Sequence, residues 1–78
     1  MDITTQEDIA FIQRITARIT KLRKERNMTQ LDLATKIGME ENAIQRLEKN
    51  RTSPTLKTLL RVARGLDVSP DDFFDFKI

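Results

Sequence analysis

Residues 28–54 read MTQLDLATKIGMEENAIQRLEKNRTSP, and the fold turns on them. Thr29 is a helix-starting residue. Its hydroxyl can accept from a free N–H of the first turn, and Asp32, three positions on, can reach back. Leu33, Ala34 and Ile37 fall on one side of a short helix, and Gly38 suits the left-handed conformation that stops it. A second helix is expected from about 41 to 49. It buries Ile44 and Leu47, with Met39 ahead of them, and Asn50 tolerates the positive φ of its end. Its opposite face carries Glu41, Asn42, Gln45 and Arg46, spaced i, i+1, i+4, i+5. Ala34 stands where the two helices cross, and a small side chain there lets them approach. Two short helices joined by a glycine turn, the second polar on its outer face, define a helix-turn-helix over about 29–50.

The flanks read as helices too. Thr5 and Asp8 form a capping pattern for a first helix over about 6–26, with Ile12, Ile15, Ile19 and Leu22 in one stripe. The basic run Lys21, Arg23, Lys24 and Arg26 suits the negative end of its dipole, and Asn27 ends it. Ser53-Pro54-Thr55 opens a fourth helix carrying Leu56, Leu59, Leu60 and Ala63, with Gly65 just past its end. Ser69-Pro70-Asp71-Asp72 opens a short fifth helix through Phe73 and Phe74, with Pro at its first position. Asp71 and Asp72 are explained as first-turn acids, since adjacent helical residues point in different directions. The expectation is an all-α, compact five-helix domain spanning 1–78.

Composition narrows the function classes. The 78 residues contain no cysteine and no histidine, which removes disulfides, Cys-based metal sites, and the commonest general base and zinc ligand. No GxSxG, HExxH or phosphate-cradling glycine loop is present, so no enzyme, cofactor or metal is expected. No apolar run approaches the roughly 18 residues of a membrane span, and the acidic start MDITTQEDI is no basic leader, which predicts a cytoplasmic protein. The net charge of +2 is unevenly spread: residues 1–12 carry −3 and 65–78 carry −3, leaving +8 between them. A basic centre between acidic ends suits a polyanion.

The segment resembles the lambda-repressor-like (Xre) family, through Thr29, Gln30, Leu33, Ala34, Ile37, Gly38, Met39, Ile44, Leu47, Glu48 and Pro54. With LKTLLRVARGLDVSPDDFF, the resemblance covers about residues 15 to 74. It implies double-stranded operator DNA as the partner and makes the second short helix the one that reads bases. There Asn42 and Gln45 can pair with adenine, Arg46 with guanine, and Glu41 can accept from cytosine. The family sets Gln30 against the phosphate backbone and pairs Arg23 with Glu48 beneath the reading surface. Lys36, Lys49, Arg51, Thr52, Ser53 and Lys57 are further phosphate candidates around the loop that follows. Two positions depart from the family pattern: Glu40 stands where Ser or Thr caps the reading helix, and Asn50 replaces a glycine.

One reading helix spans roughly four to five base pairs, and a dimer places two of them about 34 Å apart on a palindrome. The expected dimer surface is the region 66–78, with Phe73, Phe74 and Phe76, joined by Ile9 and Phe11. Within the family, the chain is most similar to controller proteins of restriction-modification systems, which act on their own and the nuclease gene, with RNA polymerase as a further partner. Cro-like phage repressors and antitoxin regulators share the motif. A protein-interaction module that uses the fold without DNA is the reading from another class.

Overall fold

The structure is a computed structural model, and it describes residues 5–49 and 53–74. Among the described residues four α-helices follow one another: α1 (Gln6–Glu25), α2 (Gln30–Ile37), α3 (Glu41–Glu48) and α4 (Leu56–Leu66). No strand occurs among the described residues. The expected fifth helix is a 3-10 turn over Pro70–Phe74. Its Asp72 N–H bonds to Ser69 O, an i→i+3 closure that winds so short a segment tighter than an α-helix.

The expected helix starts are present at α1, α2 and α4. At α1 and α2 the capping boxes are complete, with Asp8 N to Thr5 Oγ1 at 3.2 Å and Asp32 N to Thr29 Oγ1 at 2.9 Å, each returned by the aspartate. Thr55 caps α4 by accepting from Thr58 N. α3 is different: Glu40 occupies its N-cap and makes no capping hydrogen bond. A glutamate is a poor cap because its longer side chain does not readily fold back onto the first turn.

Among the described residues, helix ends use the left-handed residues Asn27 (φ 55°), Gly38 (φ 70°) and Asp67 (φ 56°). Asn27 and Gly38 were expected there. At α4 the stop is Asp67, not Gly65, which lies inside the helix. A Cβ on Gly65 would stand 2.4 Å from Ile37 Cγ2 and 2.9 Å from Leu33 Cδ1. Gly65 is therefore the point where α2 and α4 approach too closely for any side chain.

The core gathers one side of every helix. Ile15, Ile19 and Leu22 of α1 meet Leu33 and Ala34 of α2, Ile44 and Leu47 of α3, and Leu59, Val62, Ala63 and Leu66 of α4. Phe73 completes it with no exposed surface, which corrects its expected place in a dimer contact. The fourth helix also faces differently from the expected stripe: Leu56 and Leu60 are exposed, and Val62 and Leu66 take their places inside.

Candidate nucleic-acid interface

α3 presents the expected polar face. Glu41, Asn42 and Arg46 are exposed and Gln45 is half-buried, while Ile44 and Leu47 on the opposite side are held in the core. Asn42, Gln45, Arg46 and Lys49 line one shallow concavity along the helix. Glu41 also sits in the first turn of α3, where its charge favours the helix dipole and partly offsets the missing cap.

Two neighbouring segments border this face. A groove lined by Met39, Ala43, Arg46 and Leu47 on one side and by Ser53, Pro54, Thr55 and Thr58 on the other sets the start of α4 beside Arg46. Ser53 is exposed at that edge and Lys57 is exposed in the first turn of α4. On the other flank, Gln30 opens α2 and donates Nε2 to Glu48 Oε1 at 3.0 Å. The fold thus brings Gln30, Asn42, Gln45, Arg46, Lys49 and Ser53 to one side. Lys36 is not among them. Its ammonium lies 3.3 Å from Asp67 at the far end of α4, about 18 Å along the helix from Thr55. Arg51, Thr52 and Asn50 lie outside the described residues.

Beneath the face, the expected Arg23–Glu48 pair is bidentate, with Arg23 Nε to Glu48 Oε2 at 2.7 Å and Nη2 to Oε1 at 2.9 Å. The two side chains retain 8% and 6% of their exposure. Arg23 Nη1 also donates to Met28 O, tying the pair to the α1–α2 turn. Burial alone pushes the Glu48 carboxyl up, but hydrogen bonds from Arg23, Gln30 and Thr20, with the guanidinium charge, together hold it below its ordinary value. Glu48 is therefore an ionised acceptor.

Arg61 escaped the sequence reading. Its Nη2 donates to Ile37 O at 2.6 Å and Gly38 O at 3.2 Å, so α4 fastens the turn that aims α3. An arginine on the flank of a helix reads as a solvent-facing charge. Only the crossing of α4 over the end of α2 makes it a cap.

Among the described residues, exposed large apolar side chains lie on α1 and beside it, on α4, and singly at Leu31 of α2. Phe74, 41% exposed, lies against Phe11 with ring centroids 6.1 Å apart, and Ile9, two residues before Phe11 on α1, is exposed. Leu56 and Leu60, 77% and 44% exposed, lie one turn apart on α4. Phe76 lies outside the described residues. Among the described residues no cluster of acidic side chains is arranged to hold a metal, and no helix is long and apolar enough to cross a membrane.

Two short helices at a glycine turn, the second with an outward polar face, define a helix-turn-helix protein, and the chain belongs to the helix-turn-helix family HTH_3, whose model matches residues 19–73. An HTH-type transcriptional regulator of Archaeoglobus fulgidus is 37% identical over 59 residues, covering 76% of this chain and 83% of the relative. The restriction-modification controller protein C.Esp1396I superposes with a TM-score of 0.78 at 35% identity, over 83% of this chain and 84% of that one. The same controller protein, as a tetramer on its natural 35 base-pair operator, also has a TM-score of 0.78, at 35% identity over 83% of this chain and 86% of that one.

Proposed function

We propose that this chain is a sequence-specific regulator that binds double-stranded DNA as a homodimer, reads a palindromic operator, and controls its own and a neighbouring gene in the manner of a restriction-modification controller. It is not an enzyme, and it works in the cytoplasm. The observation that carries this reading is the polar row on α3, exposed Asn42 and Arg46 with half-buried Gln45 between them, flanked by Gln30 and by the Ser53 end of α4. Asn and Gln suit adenine and Arg suits guanine in the major groove, while the flanks supply phosphate donors. The likeness to a controller protein bound to its operator supports the same class. A Cro-like repressor or antitoxin regulator would use the same face on different genes. An activating role adds contact with RNA polymerase.

We place the dimer seam on the exposed flank of α4. Leu56 and Leu60 form a rigid apolar ridge there, and the helix begins beside Arg46, so a twofold through it sets two reading helices on one surface. Phe74 is the weaker choice, because its ring is already partly covered by Phe11 within the chain.

Selection of bound sites from a random duplex pool, followed by binding across a salt series, tests the reading. The expected site is an inverted repeat, and affinity falls steeply with salt. Asn42→Ala and Arg46→Ala should each lose about 1–3 kcal/mol and relax preference at one position of each half-site. Binding that ignores salt, or no binding to any duplex, sinks the DNA reading in favour of a protein-interaction module.

A further inference from the structure

The buried ion pair under the reading helix ends at the surface in a neutral amide. Glu48 Oε1 accepts from both Arg23 Nη2 and Gln30 Nε2, and Oε2 accepts from Arg23 Nε. Three helices meet at this one carboxylate: Arg23 comes from α1, Gln30 is the first residue of α2, and Glu48 is the last of α3. Gln30 is half-buried although its neighbours Thr29 and Leu31 are exposed.

Charge state fixes the orientation of the amide. An ionised carboxylate only accepts, so Gln30 turns its nitrogen, not its oxygen, toward Glu48. That nitrogen carries two hydrogens. One is spent on Glu48, and the planar geometry of the amide sends the other away from it. It leaves from the start of α2, where the helix dipole favours an anion; the capping box of Thr29 and Asp32 already pairs two of the backbone N–H groups there.

We propose that Glu48 is a positioning residue for DNA binding: it locks the Gln30 amide so that the second N–H is aimed at a backbone phosphate. The inference rests on the DNA-binding reading and adds to it a role for a residue that touches no DNA. A free glutamine side chain samples many rotamers, and ordering it on binding weakens affinity; here folding has already ordered it. Arg23 neutralises Glu48, so the carboxylate does this without repelling the phosphate it serves. An apolar pair of similar volume would join α1 to α3 about as well. Only the carboxylate also orients Gln30.

The test compares four proteins on the duplex selected by the native chain: native, Gln30→Ala, Arg23→Met/Glu48→Leu, and the triple variant. The expected result is that the double variant folds and binds about two- to tenfold more weakly, as does Gln30→Ala. The triple variant should be no weaker than the double one, and the slope of affinity against salt should not change, because no net charge is removed. Native affinity in the double variant overturns the proposal. So do fully additive losses in the triple, or a shallower salt slope, which would mean that Arg23 itself meets phosphate. If the double variant does not fold, side-chain relaxation in the free native protein decides. A Gln30 amide as ordered as the backbone supports the proposal, and one as mobile as that of exposed Gln13 overturns it. Failure of the native chain to bind any duplex in a salt-dependent way is a separate result, and it removes the DNA reading itself.

Discussion

Glu48 has almost no contact with water and is held by donors from Arg23, Gln30 and Thr20, so its removal leaves Arg23 charged, buried and without its partner. Glu48→Ala should lower stability by about 3–5 kcal/mol in urea unfolding, whereas Arg23→Met/Glu48→Leu should retain most of the native value. The pair also makes a statement about pH. The native Glu48 carboxyl is held below its ordinary range, so its contribution is complete above the unfolded value of about 4.3 and is lost as pH falls through the native one. Asp32, bonded to Thr29, and Asp71, bonded to Ser69, shift in the same direction. Thermal melts should therefore fall steeply below about pH 4, and the Arg23→Met/Glu48→Leu variant should show a shallower decline. Sequence alone made Arg23 and Glu48 partners only through the family resemblance. It could not place Gln30 on the same carboxylate or Arg61 on the carbonyls of Ile37 and Gly38, because those contacts exist only once the helices have crossed.

The helices themselves were more legible than their orientation. Thr5, Thr29 and Thr55 announce three starts because capping is local chemistry, written within four residues. Gly65 misled because a glycine near a helix end looks like a stop, while its real constraint is Ile37 on another helix. Gly65→Ala should gain about 1 kcal/mol of helix propensity and lose about 1–3 kcal/mol to overpacking, for a net loss in thermal melts that Ile37→Ala partly relieves. Leu56 and Leu60 misled in a related way. Apolar positions at 56, 59, 60 and 63 satisfy helical spacing, but Val62 and Leu66 satisfy it too, and the surrounding helices decide which arc is covered. At the start of α3 the departure is legible in the sequence itself: Glu40 stands at the N-cap and makes no capping hydrogen bond. Glu40→Ser should add about 0.5–1 kcal/mol and raise the melting temperature by several degrees. The same change should leave the position of Asn42 and Arg46 intact, so DNA affinity rises or holds.

For the whole molecule, the decisive measurement is the assembly state. Leu56→Ser/Leu60→Ser should convert a dimer to a monomer in light scattering with the fold intact, because both side chains lie outside the core. Phe74→Ser should remain dimeric; the reverse pattern would move the seam to the aromatic patch that the sequence reading favoured. One further consequence follows from the lengths of α2 and α3. Each has eight residues, below the roughly 12–15 at which an isolated helix persists in water, so both are held only by the fold, through Arg61 and the Gly65 crossing above all. On the proposed function, fraying of α4 should loosen the reading surface and expose the chain to proteases, while operator at a hundredfold its Kd should add about 2.7 kcal/mol against opening. Limited proteolysis should then be slower with operator present than without it, and the lifetime of the protein should track the amount of operator available to it.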